Sequence, residues 1–268
     1  MQDKHPPAAS VIADPRGTLD RAAVVLALVL VIAVNWLANA LPLGGLQTGQ
    51  VSALYESYFT PAGFTFGIWA VIYTGLLLYS IYQALPGRFD GERLQPIGRL
   101  FVLNCLLNST WLFAWHYQYL ALSMVLMLCV LATLVLIYRH LGQWGDTSLL
   151  VRIPFTLYLA WICVATLANL SALQTSLQLN DAWLGHVQWT QAKIALAGAV
   201  GAIVCVRYRD AAFVLVVAWA AFGISSKQAG VPEVHGAAVT VSMLGLLLAV
   251  LTLARIGLGR GRVSSADA

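Results

Sequence analysis

The stretch FTPAGFTFGIWAVIYTGLLLY, residues 59–79, begins with turn-forming residues and then runs without a charge into a helical pattern. Trp69 and Tyr73 lie four residues apart, which places both aromatic rings on one face of a helix. An apolar segment of about 20 residues is long enough to cross a bilayer. Two amphipathic rings on such a helix either anchor it at the membrane surface or line a pocket for a ligand.

The whole chain shares this apolar character. Of its 268 residues, 60% are hydrophobic and 10% are charged, and the mean hydropathy is +0.78, whereas about a quarter of the residues in a soluble domain are charged. The composition therefore predicts an integral membrane protein. The net charge of +4 does not indicate nucleic-acid binding, because the basic residues lie between the apolar segments and form no basic patch.

Eight windows of the sequence are apolar and long enough to cross a bilayer. They cover roughly residues 22–41, 64–85, 98–117, 119–139, 149–173, 187–206, 211–226 and 237–256. Long continuous segments exclude a β-barrel, whose strands are short and alternate in polarity. The predicted fold class is therefore all-α: a polytopic bundle of eight transmembrane helices between two polar tails, residues 1–21 and 257–268.

The basic residues in the loops predict the orientation, since cytoplasmic loops retain Lys and Arg. Thirteen of the 15 basic residues fall on the side of the two tails; the exceptions are Lys193, inside the sixth span, and Lys227, in the loop after the seventh. We therefore expect both termini in the cytoplasm, at a bacterial cytoplasmic membrane. Ala38-Asn39-Ala40 resembles a signal-peptidase site, but the apolar run is long for a signal peptide, so a helix is predicted.

Amide and aromatic side chains cluster at one depth of the predicted bundle, in the outer halves of spans one, two, three and five. An unpaired amide in hydrocarbon is costly, so these amides must face protein, water or a ligand. Hydrogen bonds between helices and an interfacial aromatic belt are the alternatives for any single residue. The candidate ligand-binding residues are Trp69, Tyr73, Asn39, Asn104, Asn108, Trp111, Trp161 and Asn169. Asn35 lies one turn before Asn39 on the same face of the first span.

Three blocks of the sequence resemble the TspO/MBR family, the tryptophan-rich sensory or translocator proteins. The block TPAGFTFGIWAVIY, residues 60–73, matches the family's Pro-containing first loop and the W-x3-Y helix after it. The block LNCLLNSTW, residues 103–111, matches its L-N-x-x-W motif, and PFTLYLAWICVATLAN, residues 154–169, matches its P-x-x-x-Y-L-A-W-x7-N pattern. The resemblance covers about residues 22–175 and implies a five-helix core, with residues 176–256 as three additional helices.

This resemblance implies a pocket among the first five helices, roofed by the first loop, that binds porphyrins, sterols or other planar hydrophobic ligands. The resemblance implies that the candidate residues named above line this pocket, except Asn35 and Asn39 of the first span. The family's W-x-P-P motif is Phe59-Thr60-Pro61-Ala62 here, so we expect this loop to differ in shape and ligand preference. The predicted function is a membrane receptor for a planar apolar ligand, such as a porphyrin or haem, that requires no cofactor.

Two other functions fit the same sequence. One is a carrier or permease for amphipathic small molecules, and the other is a non-catalytic subunit of a larger membrane complex that docks through the last three helices. The partners are then the lipid bilayer and a small hydrophobic ligand, with a homodimer or a larger complex as a further option. No Asp or Glu lies within a span, which argues against proton-coupled transport and leaves no general acid or base, so we predict no catalytic residue.

Lys193 and three histidines have competing interpretations. The Lys193 ammonium can snorkel to the headgroups, pair with a ligand carboxylate such as a propionate, or form a Schiff base. His116, His186 and His235 fall at the predicted outer surface, where they could ligate haem or a metal. The spacing of these histidines matches no metal-binding motif, so we predict solvated side chains and no metal site.

The sixth and seventh spans carry two packing signals. Asp210 stands directly before the seventh span and is predicted to cap it, because a carboxylate accepts hydrogen bonds from the first amides of a helix. Small residues permit helices to approach closely, and we predict such packing, within the molecule or between subunits, for Ala195, Gly198, Ala199, Gly201 and Ala202.

Overall fold

The computed structural model describes residues 16–41, 43–85, 91–143, 148–181 and 183–264, and all regular secondary structure in these ranges is helical. Two short 3-10 segments, Leu43–Gly45 and Gly63–Gly67, lie between the first and third α-helices. The helices are α1 Thr18–Ala40, α2 Thr48–Leu54, α3 Ile68–Ala84, α4 Gly91–His116, α5 Leu120–Gln143, α6 Leu149–Ser176, α7 His186–Tyr208, α8 Ala211–Lys227 and α9 Pro232–Ser264.

Within the described ranges, seven helical segments are long and apolar enough to cross a membrane: α1, α3 with its preceding turn, α4, α5, α6, α7 and α9. The predicted seventh span is α8, which is apolar but has 17 residues. Its length of about 25 Å lies at the lower limit for a span. The all-α polytopic bundle is thus confirmed. α1 begins inside the predicted N-terminal tail, and α9 continues past residue 256 to Ser264.

Five helices form a closed ring. α1 packs on α3 and α4, α4 packs on α5, α5 packs on α6, and α6 packs on α3. Where α3 meets α6, a Cβ atom on Gly75 would lie 3.0 Å from Cγ of Pro154, so the glycine permits the close approach of these two helices. We call α1, α3, α4, α5 and α6 the five-helix ring.

Three aromatic side chains fill the inner half of this ring, toward the predicted cytoplasmic side. Tyr79 of α3, Phe101 of α4 and Phe155 of α6 are fully buried. Their ring centroids are 4.9 to 5.6 Å apart, in the edge-to-face arrangement that aromatic rings prefer. We call these three residues the inner plug, because they close the ring below the candidate site.

The helices α7, α8 and α9 pack on one another and reach the five-helix ring mainly through α8, which packs on α6. We call them the C-terminal unit. Gly198 lies against Val241 of α9, and Gly201 lies against Val217 of α8. The close packing predicted at these glycines is therefore within the molecule, whereas Ala199 is exposed. The division of the chain into a core of residues 22–175 and an added region of residues 176–256 stays a prediction.

Asp210 joins the C-terminal unit to the five-helix ring. Its Oδ1 accepts a hydrogen bond from the Phe213 amide at 3.3 Å, which confirms the predicted cap of α8. Its Oδ2 accepts hydrogen bonds from the hydroxyls of Tyr138 on α5, at 2.9 Å, and Thr156 on α6, at 3.0 Å. The Arg152 guanidinium lies 3.6 Å away. A buried carboxylate is stable in such surroundings because donors from three helices replace water.

Candidate ligand-binding site

The loop between α1 and α3, residues 43–67, spans the predicted outer end of the five-helix ring, and we call it the lid. Its first half is held on the end of α4, where Trp115 Nε1 donates to the Thr48 carbonyl oxygen at 3.2 Å. The Thr48 hydroxyl also lies 3.3 Å from His116 Nε2. The middle of the lid reaches α6, where the Thr175 hydroxyl donates to the Glu56 carbonyl oxygen at 3.3 Å. The lid is therefore tied to two helices of the ring.

The second half of the lid is held by the C-terminal unit. The Ala62 amide donates to the Gly223 carbonyl oxygen of α8 at 3.0 Å, and Trp219 Nε1 donates to the Thr65 carbonyl oxygen at 2.9 Å. Phe64 packs edge-on against Trp219 with centroids 5.5 Å apart. A Cβ atom on Gly223 would overlap the Thr65 hydroxyl. Residue 223 must therefore be glycine for the lid to lie this close to α8.

Phe59 stands in the lid where the resemblance expected a tryptophan, and its ring is fully buried. It borders a cavity of about 10 Å³ together with Val164 of α6, Ile194 of α7 and Val217 of α8. Such a volume is about that of one water-sized probe, too small for a ligand. The side chain thus fixes the lid to the junction of α6 with the C-terminal unit.

Four aromatic side chains form a contiguous group in the outer half of the five-helix ring. Trp69 stacks on Tyr73 with centroids 5.3 Å apart and planes 22° apart. The Trp69 ring also meets Tyr158 edge-on at 5.8 Å and Trp161 edge-on at 6.4 Å. Phe66 of the lid closes the group from above, 5.8 Å from Trp161. The structure therefore brings together Trp69, Tyr73 and Trp161, which the sequence predicted as site residues.

A chain of hydrogen bonds crosses the ring beside this aromatic group. Asn35 Nδ2 of α1 donates to Asn108 Oδ1 of α4 at 3.3 Å. Asn108 Nδ2 in turn donates to the Tyr158 hydroxyl of α6 at 3.0 Å. Asn108, predicted to face a ligand, thus links three helices of the ring and also contacts the aromatic group through Tyr158.

The other two buried asparagines bond to α5. Asn104 Nδ2 donates to the Thr133 hydroxyl at 2.8 Å and to the Val130 carbonyl oxygen at 3.1 Å. Asn169 Oδ1 accepts a hydrogen bond from the Ser123 hydroxyl at 3.2 Å. Both side chains are almost completely buried, so each contributes to the packing of α5 against its neighbours.

Trp111 and Asn39 lie toward the outer end of the ring. Trp111 stacks on Trp115 with centroids 5.9 Å apart and planes 22° apart. Asn39 is exposed, and its Nδ2 donates to the Asn35 carbonyl oxygen of its own helix at 2.9 Å. The side-chain contact between α1 and the site is made by Asn35. Asn39 thus bonds within the last turn of α1, which ends at Ala40, and its place in the site stays a prediction.

Four of the predicted residues each retain one buried polar atom that has no hydrogen-bond partner. These atoms are Tyr73 Oη, Asn104 Oδ1, Trp111 Nε1 and Asn169 Nδ2, from α3, α4 and α6. Most buried polar atoms in native proteins are paired, and an unpaired one costs about 1 to 3 kcal/mol. Trp111 Nε1 and Asn169 Nδ2 can thus each donate a further hydrogen bond, Asn104 Oδ1 can accept one, and the Tyr73 hydroxyl can do either.

Ring contacts and hydrogen bonds join these side chains to one another in the outer half of the ring. A cavity of about 190 Å³ lies instead at the predicted inner end of the ring, between α1, α3 and α4. Its walls include Arg16, Gln83 and Gly98. The lid and the aromatic group cover the outer end of the ring in this conformation, and the pocket expected there stays a prediction.

Sequence reasoning missed two residues that shape the site. Tyr158 precedes Trp161 by three residues in the same block, and this helical spacing could have identified it. Trp219 lies in the predicted seventh span, and no periodicity relates that span to the first loop. Its bond to the Thr65 carbonyl oxygen follows from how α8 packs beside the ring, which only the tertiary structure determines.

The prediction of solvated histidines is wrong for His116, whereas His186 and His235 are partly exposed. His116 is fully buried, and its Nδ1 donates to the Leu112 carbonyl oxygen at 2.8 Å. His186 is partly buried under Tyr58, whose ring stacks on it with centroids 4.5 Å apart. His235 Nδ1 donates to the Ser225 carbonyl oxygen at 3.0 Å. Each imidazole thus holds a lid segment or a helix end in place.

Lys193 does not snorkel to the membrane surface. Its side chain turns toward α6, where the ammonium donates to the Ser171 hydroxyl at 2.7 Å. The residue is 6% exposed, so its side chain packs against α6 instead of extending along the bundle surface.

A comparison with protein-family models matches residues 21–253 to the TSPO-like protein family. The matched region includes the five-helix ring and most of the C-terminal unit, and is thus longer than the resemblance over residues 22–175. No protein of curated function and no solved structure matches the chain. The chain therefore belongs to the TSPO-like protein family, and this membership supports a ligand-binding or sensory role in a membrane.

Proposed function

We propose that the protein is a membrane receptor that binds a planar hydrophobic ligand, a tetrapyrrole such as a porphyrin or haem, in the outer half of the five-helix ring. The four unpaired polar atoms of Tyr73, Asn104, Trp111 and Asn169 carry this proposal. They belong to three helices of the five-helix ring, and a guest that is mostly apolar with a few polar groups would satisfy them. Sites of this composition are typical for small molecules.

The aromatic group favours a flat ligand over a globular one. Trp69 already stacks face to face on Tyr73, and an extended π-system can take over this contact with little loss of stacking energy. The planes of the Trp161 and Trp69 rings lie 83° apart, so Trp161 would contact the edge of the same ligand. The ligand would therefore replace contacts that the side chains now make with one another.

Binding requires the lid to move. The lid crosses the outer end of the ring and is held at Thr48, Glu56, Ala62 and Thr65. On the other side, the inner plug closes the ring. Entry from the outer side thus breaks a few hydrogen bonds of the lid, each worth about 1 kcal/mol, whereas entry from the inner side would require three packed rings to separate.

Titration of the purified protein with protoporphyrin IX, followed through the Soret absorbance, tests the proposal. We expect saturable binding with one ligand per chain and a weakening of at least about tenfold for Trp69→Leu, since a stacked ring contributes on the order of 1 kcal/mol beyond its buried area. Trp183→Leu is the matched control, because Trp183 is 96% exposed.

Two results would overturn the proposal. One is the absence of saturable binding by the unaltered protein. The other is equal affinity of Trp69→Leu and Trp183→Leu, which would show that the porphyrin adsorbs to the apolar surface instead of entering the ring.

A carrier for amphipathic small molecules is the second candidate function. The cavity at the inner end of the ring favours it, because a carrier needs access from both sides of the membrane. The inner plug argues against it, since Tyr79, Phe101 and Phe155 separate that cavity from the outer half. Uptake of protoporphyrin IX into proteoliposomes distinguishes the two functions: a carrier fills the lumen, whereas a receptor saturates at one ligand per chain.

A further inference from the structure

Lys193 places an ammonium group inside the protein, between α6 and α7. Its Nζ donates to the Ser171 hydroxyl, and the residue is 6% exposed. Ser171 follows Asn169 by two residues, a rotation of about 200° around α6, so the two side chains lie on opposite faces of that helix. The Lys193 site is therefore separate from the interior of the five-helix ring.

The charge of Lys193 has no counter-ion in the described part of the chain. No carboxylate there lies within ion-pair distance of Nζ, and the Ser171 hydroxyl is the hydrogen-bond partner that the ammonium has. Asp181, in the loop between α6 and α7, accepts instead from the His186 amide at 3.2 Å. An ammonium offers three donors, and burying it without an opposite charge costs several kcal/mol. A bound anion would remove this cost.

A second polar group of α6 lies one turn from Ser171. Gln174 follows Ser171 by three residues, so it lies on the same side of α6, and its Oε1 is buried without a partner. Above this position Tyr58 of the lid stacks on His186, which begins α7. The lid thus contacts the start of α7, two turns before Lys193.

The surroundings on the membrane side are apolar. α7 packs mainly on α8 and α9 and contacts α6 over a short stretch. Next to Lys193 on α7, Ala192, Ala195 and Leu196 are exposed. An acyl chain can lie along these residues while its head group reaches the ammonium.

We propose that Lys193, positioned by Ser171, binds the anionic head group of an amphiphilic lipid, a carboxylate or a phosphate, whose apolar chain lies along the outer face of α7. The ammonium donates its two remaining hydrogens to the anionic oxygens, while its third bond, to the Ser171 hydroxyl, holds it in place. This site does not depend on the ligand proposed for the five-helix ring.

Binding of oleate, methyl oleate and dioleoyl phosphatidylglycerol to the full chain in a non-ionic detergent, measured by native mass spectrometry, tests the proposal. We expect one tightly bound anionic lipid per chain. Lys193→Met should weaken it at least tenfold, as expected for the loss of a hydrogen bond to a charged group, while Lys193→Arg keeps most of the affinity. Lys227→Met is the control, because Lys227 is an exposed lysine at the same side of the bundle.

The lipids distinguish the two sources of the head group. Retention of oleate alone identifies a carboxylate, retention of phosphatidylglycerol alone identifies a phosphate, and retention of both supports a general anionic site. Equal affinity of Lys193→Met and Lys227→Met for both lipids overturns the proposal. If Lys193→Met does not fold, the unaltered chain decides: equal affinity for oleate and methyl oleate, together with phosphatidylglycerol binding unchanged by Ser171→Ala, overturns it.

Protoporphyrin IX titration of the same variants separates this proposal from the one for the five-helix ring. Because Lys193 lies behind α6, we expect Lys193→Met to bind the porphyrin as the unaltered chain does. Failure of porphyrin binding in every variant would remove the ring proposal and leave the lipid site intact.

Discussion

Tyr73 and Tyr158 both reach the aromatic group inside the five-helix ring, but their hydroxyls differ in hydrogen bonding. The Tyr158 hydroxyl accepts from Asn108 Nδ2 at 3.0 Å, whereas the Tyr73 hydroxyl is buried without a partner. The first hydroxyl therefore stabilises the empty protein. The second costs stability unless a ligand pairs with it.

This difference predicts opposite effects for the same substitution. Tyr158→Phe leaves the Asn108 amide unpaired and should lower the free energy of unfolding by about 1 to 2 kcal/mol. Tyr73→Phe removes an unpaired group and should leave stability unchanged or slightly raised, while protoporphyrin IX affinity falls several-fold. Thermal unfolding in detergent and a Soret titration measure the two effects. An equal loss of stability in both variants would show that the Tyr73 hydroxyl has a partner in the protein.

At the scale of elements, hydrogen bonds join α8 to the lid. The Ala62 amide and the Thr65 carbonyl oxygen of the lid bond to Gly223 and Trp219 of α8. This contact assigns a role to the C-terminal unit that its apolar sequence did not reveal. The lid closes the outer half of the ring, so the stability of this contact governs access to the candidate site.

Gly223→Ala is expected to loosen the lid, because its Cβ would overlap the Thr65 side chain. Amide hydrogen exchange in residues 59–67 should become faster, and protoporphyrin IX should associate faster as well. Gly236→Ala on α9 is the matched control, since its added Cβ meets no atom within 4 Å. Unchanged exchange in Gly223→Ala would mean that α4 and α6 hold the lid without α8.

At the scale of the whole molecule, Asp210 holds the C-terminal unit and the five-helix ring together. Asp210→Asn keeps an acceptor for the cap of α8 but loses the charge, and should cost on the order of 2 kcal/mol of stability. Asp210→Ala loses both and should cost more. Thermal unfolding measures these losses against Glu233→Gln, an exposed carboxylate in the first turn of α9. Loss of stability in the control of similar size would refute a special role for Asp210.

The number of membrane crossings also belongs to this scale. The sequence predicts eight crossings, with α8 as the shortest, and this number would place both termini in the cytoplasm. A C-terminal green fluorescent protein should then fluoresce, and alkaline phosphatase fused there should be inactive, whereas phosphatase fused after residue 183 should be active. Active phosphatase at the C-terminus would show that α8 does not cross the membrane.

The sequence by itself determined the positions of the helices and the membrane character of the protein. The apolar interior of a bilayer requires each crossing segment to satisfy its backbone hydrogen bonds internally, so length and hydropathy suffice to locate helices such as α5 and α6. Helical spacing also determined that Trp69 and Tyr73 share a face, and the aromatic pair is found stacked. The cap at Asp210 was predictable as well, because it depends on adjacent residues alone.

Only the tertiary structure decided which side chain each of these faces meets. Local spacing does not specify which helices become neighbours or how each is rotated about its axis. The partners Asn35 and Tyr158 for Asn108, the inward turn of Lys193 and the contact of the lid with α8 all join residues far apart in the chain. Whether an amide lines an open pocket or fills it depends on the packing of several helices together, because close-packed side chains leave little unoccupied volume.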